Sequence, residues 1–341
     1  MKKYFALFMG IVMVLMVFSA CTSADTPDNT TNPQNYFTTT APSTTTEATQ
    51  VYYSTGMTGF NYISTIEYTG QEIERPYIIS SYIKYPVAIV LFTNGYLQPY
   101  SVDGSEYAYS HTLAAGREYT IRFHPVTGKA GEKVTFIACA FEKPEFKKSE
   151  DGSYYDFLDW HKMYPTSGVT IEMKADSPTS APETTSGLTY VQDVETIFKA
   201  MAGVGDNPAS KLEWPDFKVY DKVVELDSWL DLDEDAVGLQ NDITAQKGTE
   251  HEIFICGFGK AGKYRVCLFI NDELQYAFDG KAYVDMEISG DMQTTCSVKI
   301  DTNKLNEDNF IYVMYYPLDL ETEDMVNQVR KTYSQIFTVQ D

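Results

Sequence analysis

Two stretches of the chain are versions of one sequence: LFTNGYLQPYSVDG at Leu91–Gly104 and LFINDELQYAFDG at Leu268–Gly280. When Pro99 is skipped, they share Leu, Phe, Asn, Leu, Gln, Tyr, Asp and Gly in the same order. An offset of 177 residues separates Leu91 from Leu268. Self-similarity at a fixed spacing indicates repeated structural units. The sequence therefore predicts a tandem duplication.

Further pairs of short β-like runs extend the match at the same offset. They are Val134–Ile137 with Ile311–Met314, Thr120–Phe123 with Ser297–Ile300, and Tyr77–Ile79 with Phe254–Cys256. Because several separate runs share one spacing, we interpret the two halves as divergent copies of the same domain.

Apolar residues alternate with polar ones along these runs, as they do on strands with one buried face. Tyr119, Ile121 and Phe123 form one such set, and turns rich in Asn, Asp and Gly separate the runs. About seven short strands in each copy are typical of an immunoglobulin-like sandwich. Neither copy has the Cys…Trp…Cys framework, so the resemblance is to the architecture and not to a family. The predicted fold class is mainly β: two tandem Ig-like β-sandwich domains with short helices.

Composition divides the chain into segments. Helical spacing of Val191, Val194, Ile197, Phe198 and Met201 predicts a helix at about Thr189–Ala202. Shorter helices are expected at Tyr154–Lys162 and Thr322–Lys331. The predicted boundaries are a signal peptide at 1–20, a stalk at 21–50, the first sandwich at 51–176, a linker at 177–188, a helix and connection at 189–216, and the second sandwich at 217–341.

The first 21 residues, MKKYFALFMGIVMVLMVFSAC, have the parts of a secretory signal: two lysines, an apolar run and small residues before Cys21. This order resembles the lipobox of bacterial lipoproteins, although Phe18 stands where that family usually has Leu. The resemblance implies that the Cys21 thiol receives a diacylglycerol and becomes the mature N-terminus. A transmembrane helix at Tyr4–Ala20 is the alternative, and the Ser/Thr tract that follows favours the signal peptide.

The Thr-rich tract at 22–50 contains eleven Thr, two Ser and three Pro among 29 residues. Such a segment buries too little apolar surface to offset its ordering entropy. We therefore predict a disordered stalk between the lipid anchor and the first sandwich. The expected location is the cell membrane, on its extracytoplasmic side.

The charge balance excludes one class of partner. The chain has 26 Lys plus Arg against 48 Asp plus Glu, a formal net charge of −22. Nucleic-acid binding rests on basic residues that neutralise phosphates, so we expect no nucleic-acid partner.

One acidic loop, DLDEDAVGLQND at Asp231–Asp242, places Asp231, Asp233, Asp235 and Asp242 at calcium-ligand spacing. Ala236 replaces the glycine of the sharp turn, and Asp242 replaces a bidentate Glu. These departures predict weak or absent calcium binding, and a solvated acidic loop is the favoured interpretation. No other cofactor is expected.

Four cysteines follow Cys21, and all four match apolar or aromatic residues in the other copy. They are Cys139, Cys256, Cys267 and Cys296. Buried free thiols suit such positions. A Cys256–Cys296 disulfide is the open alternative, because both residues fall on strands that are expected to be neighbours.

Motifs for catalysis are weak. Gly257–Lys263, GFGKAGK, has the glycine spacing of a phosphate loop, but the strand-like YRVCLFI follows it where a helix is required. No hydrolase motif with a nucleophile is present. We therefore predict no enzyme and no catalytic residues, and a binding or adhesion role on carbohydrate or protein. Trp160, Trp214, Trp229 and exposed tyrosines are candidates for sugar stacking. The alternatives are an envelope hydrolase or hydrolase accessory, and a structural spacer.

Overall fold

β-Strands dominate the computed structural model, which describes residues 58–60, 65–79, 85–143, 163–165, 168–185, 189–193, 215–221, 243–289, 292–319, 329–332 and 334–341. All of them belong to one compact unit, Ala48–Asp341. They contain one 3-10 turn, Thr302–Lys304, and no α-helix. The fold class is mainly β, as the sequence predicts.

The first sandwich, module 1, has a four-stranded sheet in the order β1-β3-β8-β6 and a seven-stranded sheet in the order β2-β11-β9-β4-β5, with β10 on β9 and β7 on β4. In the seven-stranded sheet, β2 and β11 are the first and last strands along the chain, and they pair in parallel. The strands are β1 Thr58–Phe60, β2 Thr65–Tyr68, β3 Ile73–Ile79, β4 Val87–Thr93, β5 Tyr96–Leu97, β6 Ser101–Val102, β7 Ser110–Leu113, β8 Arg117–Phe123, β9 Lys133–Glu142, β10 Met163–Pro165 and β11 Val169–Met173.

The second sandwich, module 2, keeps the central strand order of module 1 but has different edge strands, in the sheets β13-β20-β16-β14 and β12-β19-β17-β21-β23-β15, to which β18 and β22 are added. The parallel pair is now β15 and β23. The strands are β12 Thr184–Thr185, β13 Thr189–Asp193, β14 Pro215–Tyr220, β15 Ile243–Gln246, β16 Glu250–Gly259, β17 Gly262–Ile270, β18 Glu273–Leu274, β19 Tyr283–Ile288, β20 Met292–Asp301, β21 Asp308–Pro317, β22 Arg330–Lys331 and β23 Gln335–Gln340.

The matched sequence motif forms the same hairpin in both modules. Asn94 and Gly95 both have positive φ, and so do Asn271 and Asp272, as a two-residue hairpin turn with the twist of its strands requires. The Asn94 side chain accepts the backbone N–H of Thr135 at 2.7 Å, and Asn271 accepts that of Phe310 at 3.1 Å. The repeated asparagine therefore ties the turn to the neighbouring long strand in each copy.

The offset between the copies changes by one or two residues from strand to strand. It is 177 in β8 and β20, where Tyr119 and Cys296 both face the core. Tyr77 lies opposite Tyr119, whereas Ile255 lies opposite Cys296, which corrects the predicted match of Tyr77 with Phe254. A shift of one residue reverses the face of a strand, so the burial pattern overrides the fixed spacing.

A shift of two residues separates the predicted and observed matches in β9 and β21. Cys139 lies opposite Val90, and Met314 lies opposite Cys267. The structural offset in this strand pair is therefore 175 residues. A two-residue shift keeps every side chain on its face, so both cores are preserved.

The segment between the modules differs from the prediction. Thr189–Asp193, expected to begin a helix, forms strand β13 and pairs with β20. Thr184–Thr185 of the predicted linker pairs in parallel with β19. Arg330–Lys331, the end of another predicted helix, pairs with β21. Tyr154–Lys162 lies outside the described residues. The edges of module 2 are thus completed by strands that lie before its predicted start at residue 217.

The modules pack through their larger sheets. Alternate residues of β4 and β9 point away from the module 1 core and join residues of β17 and β21 in one apolar cluster. Phe92 contacts Tyr316 with a ring separation of 5.8 Å, and Phe141 contacts Tyr312 at 5.8 Å. Every residue of β4 is therefore buried, on both of its faces.

This packing is reciprocal. The turn of module 1 at Gly95 lies against Tyr316 and Leu318 of module 2, where a Cβ on Gly95 would come within 2.9 Å of the Tyr316 ring. The equivalent turn of module 2 carries Asp272, which forms an ion pair with Lys143 of module 1. Lys143 and Leu318 are the residues that follow β9 and β21. Each hairpin turn thus contacts the end of the long strand of the other module.

Candidate functional site

Several predicted sites fall outside the residues that the structure describes. They are Cys21, the acidic loop of Asp231, Asp233, Asp235 and Asp242, and the three tryptophans. The lipid and calcium assignments remain predictions. Where the structure describes the chain, no three His, Cys, Asp or Glu side chains are grouped to hold a metal ion. The same residues include no helix that is long and apolar enough to span a bilayer.

The alternative Cys256–Cys296 disulfide is not formed. Both cysteines are free and buried. Cys296 lies opposite Ile255 and faces the core, whereas Cys256 lies opposite Thr295 and faces the other side of the sheet. The strands are neighbours, but the two thiols point in opposite directions. Burial raises the pKa of each thiol to about 12, so both are protonated at neutral pH.

The glycine-rich segment Gly257–Lys263 connects β16 of one sheet to β17 of the other. No helix follows it, so the helix N-terminus that a phosphate loop needs is missing. A Cβ on Gly257 would lie 2.5 Å from the Phe217 ring. This glycine therefore permits aromatic packing in the core of module 2.

The described histidines are held by structural partners. His111 Nε2 lies 2.9 Å from the Tyr100 carbonyl, and His124 Nδ1 lies 3.1 Å from the Tyr68 hydroxyl. His251 Nε2 lies 2.5 Å from Asp221 Oδ1. These contacts give each of the three rings a partner within its own module, and His161 lies outside the described residues.

One surface site contains side chains from both modules. Tyr96 and Tyr109 of module 1 meet Tyr276 and Tyr283 of module 2, and we call these four residues the tyrosine junction. The Tyr96 and Tyr283 rings meet edge to face at 5.6 Å, and Tyr276 is near enough to Tyr109 to raise the pKa of its hydroxyl. The junction exists only because the modules are packed together.

Backbone contacts hold the tyrosine junction in place. The Leu97 N–H in the hairpin of module 1 donates to the Tyr283 hydroxyl at 3.0 Å. Tyr283 is buried on β19, and Tyr96 is the first residue of β5. Two ring positions are therefore fixed by regular strands, which makes the site more rigid than one made of loops alone.

An ion pair of module 2 lies against Tyr96 of the tyrosine junction. Arg265 donates two hydrogen bonds to Asp285, at 2.8 and 2.9 Å, and its guanidinium lies 4.0 Å from the centre of the Tyr96 ring. Burial alone would lower the pKa of Arg265, but the contact with Asp285 outweighs it and the net direction is upward. The bidentate pair fixes the Asp285 carboxylate at the site.

Tyr276 is the exposed member of the tyrosine junction. Its side chain is 58% exposed, whereas Tyr283 is buried. Burial, and then the neighbouring Tyr276, raise the pKa of Tyr109 to about 12. Its hydroxyl therefore keeps its proton at physiological pH. The site presents an open aromatic ring at the boundary between the two modules.

Sequence reasoning did not single out these tyrosines. In the repeat Tyr276 matches Tyr100, which is buried and donates its hydroxyl proton to the Ile89 carbonyl at 2.7 Å. The buried aromatic residue in this part of module 2 is Phe278. The extra aromatic in YAF, Tyr276–Phe278, was the available signal, because one core position needs one ring.

A second charged group lies at another part of the module interface. The Lys331 ammonium is 5.3 Å from the ring centre of Phe141 and 4.4 Å from that of Tyr312, so rings from both modules enclose it. Its Nζ donates to Ser334 Oγ at 2.7 Å. Burial lowers the pKa of Lys331 to about 7, and the nearby Asp272 carboxylate opposes this shift.

Comparisons with known proteins give no family. No family model matches the chain, and no curated protein does. Similar solved structures include Rst D1-D2, with a TM-score of 0.20, 9% identity, and coverage of 83% of this chain and 100% of that one. A Salmonella enterica SafA pilin in complex with the SafB chaperone has a TM-score of 0.24, 10% identity, and coverage of 85% and 98%.

The CsuC–CsuE chaperone–tip adhesion subunit complex of Acinetobacter baumannii pili has a TM-score of 0.21, 10% identity, and coverage of 85% and 100%. Scores this low carry no argument about function. Function is therefore inferred from the site itself.

Proposed function

We propose that the chain is a non-catalytic binding protein of the cell surface, anchored by a lipid on Cys21, whose ligand site is the tyrosine junction. The observation that carries this proposal is the exposed Tyr276 ring at the junction where Tyr96 of module 1 packs against Tyr283 of module 2. Aromatic rings in a rigid polar setting are typical anchors of recognition sites.

The module packing supports a recognition site at this place. A ligand at the tyrosine junction contacts both modules, so the fixed intermodule contacts lower the entropy cost of binding. The same packing covers the faces that the two larger sheets turn towards each other, so a ligand cannot reach them. The outward residues of β4 and β9 are buried against module 2.

A binding screen with the purified chain tests the proposal. We expect Tyr276→Ala to reduce binding to the captured glycan or protein ligand at least tenfold, because the ring supplies the main contact area. Tyr85→Ala is the matched control. Tyr85 is also exposed, but it precedes the first residue of β4, whereas the hairpin with Tyr96 follows the last residue of that strand. Turnover of a ligand would favour the hydrolase alternative, and the absence of any ligand would favour the spacer.

The lipid anchor has a separate test. Mass spectrometry of the membrane fraction should find a mature chain that begins at Cys21 with a diacylglyceryl adduct. Recovery of Cys21→Ser as a processed, membrane-retained protein would contradict the anchor and leave the binding site unaffected.

A further inference from the structure

A buried lysine lies at the contact between the two modules. Lys331 on β22 is 8% exposed and lies opposite Met314 of β21, whose side chain belongs to the apolar cluster between the modules. Its neighbour Arg330 lies opposite Tyr315, which faces the core of module 2. Residues that lie opposite each other on neighbouring strands point to the same face of the sheet. The Lys331 side chain is therefore directed at the module interface.

Module 1 completes the enclosure of the lysine ammonium. Lys331 Nζ lies 5.3 Å from the centre of the Phe141 ring of module 1 and 4.4 Å from that of the Tyr312 ring of module 2. Nζ also donates to the Thr332 carbonyl at 3.2 Å and to Ser334 Oγ at 2.7 Å, both in module 2. Because Phe141 moves away with module 1, separation of the modules opens Lys331 to water.

The carboxylate near Lys331 is already engaged by other groups. Asp272 Oδ1 accepts the Tyr312 hydroxyl at 3.0 Å, and Oδ2 pairs with Lys143 of module 1. Asp272 on the β17–β18 turn, Tyr312 on β21 and Lys143 after β9 are the titratable groups that these described elements place around Lys331. Burial raises the pKa of Tyr312 well above its ordinary value, so its hydroxyl keeps its proton. A protonated Lys331 therefore adds a second ammonium beside the Asp272 carboxylate, whereas a neutral amine leaves the Lys143–Asp272 pair balanced.

Burial in the docked form favours the neutral amine of Lys331. It lowers the pKa of Lys331 from 10.5 to about 7, and the Asp272 carboxylate opposes this shift. In separated modules water solvates the ammonium, so the pKa returns towards its ordinary value. Between these two values the separated form binds a proton that the docked form lacks. Acid therefore favours separation.

We propose that the docking of the two modules is a pH-sensitive contact, which protonation of Lys331 loosens and deprotonation tightens. Because Tyr96 and Tyr283 belong to different modules, the tyrosine junction is assembled only in the docked form. Acidification therefore opens the interface and takes this junction apart, while each sandwich keeps its own core.

Buried cysteines distinguish opening of the interface from unfolding of a module. Cys139 and Cys267 belong to the apolar cluster between the modules, whereas Cys296 belongs to the core of module 2. Labelling of the purified native chain with N-ethylmaleimide, followed by peptide mass mapping, gives the rate for each thiol. Dividing the rate in the urea-denatured chain at the same pH by this rate gives a protection factor, which is free of the pH dependence of the thiol chemistry.

We expect the protection factors of Cys139 and Cys267 to fall about tenfold between pH 8 and pH 6, because the pKa of docked Lys331 lies between these values. At pH 6 both should be lower than the protection factor of Cys296. Lys331→Met should abolish the dependence on pH. The matched control is Lys299→Met, whose lysine is 66% exposed, and it should keep the tenfold change of the native chain.

Three results would overturn the proposal. The first is a native chain in which the protection of Cys139 and Cys267 does not change between pH 8 and pH 6. The second is equal protection of all three thiols at pH 6, because the interface would then open only when the module unfolds. The third is a Lys331→Met chain with the pH dependence of the native chain, which would assign the effect to another group.

Discussion

Asp272→Asn should lower the free energy of unfolding by about 3 kcal/mol, because removing one partner of a largely buried ion pair leaves the other charge uncompensated. Asp272 pairs with Lys143 across the module interface and accepts the Tyr312 hydroxyl at 3.0 Å. The side chains of Lys143 and Asp272 are only 27% and 12% exposed. Asparagine tolerates the positive φ of this position, so the turn itself is kept.

Urea unfolding of the native chain and of two variants measures this effect. The matched control is Glu273→Gln, which removes the neighbouring exposed charge from the same hairpin. We expect the control to change the unfolding free energy by less than about 0.5 kcal/mol. An Asp272→Asn variant as stable as the control would show that the ion pair contributes nothing to the packing of the modules.

Lys331→Met should raise the free energy of unfolding by about 1–3 kcal/mol at pH 6. Replacing a buried charge with an apolar side chain of similar length removes its desolvation penalty. The loss of the bond to Ser334 Oγ offsets part of this gain. Methionine also packs well between the rings of Phe141 and Tyr312.

The stabilisation by Lys331→Met should depend on pH. The pKa of Lys331 is about 7 in the folded chain, against an ordinary value of 10.5. Between these values the unfolded chain binds a proton that the folded chain has lost, so the stability of the native chain rises with pH. The penalty is fully present below pH 7 and disappears towards pH 10.5. The gain from methionine should therefore be largest at pH 6 and small at pH 10.

Urea unfolding of both chains at pH 6, 8 and 10 checks the sign and the slope. The comparison variant is Lys299→Met, whose lysine is 66% exposed and should show no such trend. A Lys331→Met chain that is less stable than the native chain at pH 6 would refute the prediction, and so would a gain that is constant across the three pH values.

Turn chemistry and alternation were sufficient to predict the two sandwiches. Asn94 and Asn271 mark turns that need positive φ and a side-chain bond, and both contacts lie close to the motif itself. The fixed offset was less reliable, because loops between strands absorbed insertions of one or two residues. The sequence shows burial only through the alternation of apolar and polar residues. The positions of Ile255 and Met314 in the strand register were decided by which side chains are buried.

The sequence predicted the candidate functional sites less well than it predicted the fold. The predicted calcium and lipid sites lie outside the described residues, and the alternative disulfide is excluded by one residue of register. The tyrosine junction had no motif. Tyr96 and Tyr276 are far apart in the chain. The strands that carry the tyrosines of each module come together only because the two modules pack against each other.

The sequence by itself determined the duplicated β-sandwich, because periodic burial and turn conformation depend on neighbouring residues. The tertiary structure alone decided that β12 and β13 complete the edges of module 2, and that the larger sheets pack against each other. The physical reason is that apolar residues such as Val90 and Cys267, which point away from the core of their own module, indicate that the outer face of the sheet is buried. They do not indicate which surface covers that face. Their partners lie in the other module, and the complementary surfaces exist only after both modules have folded.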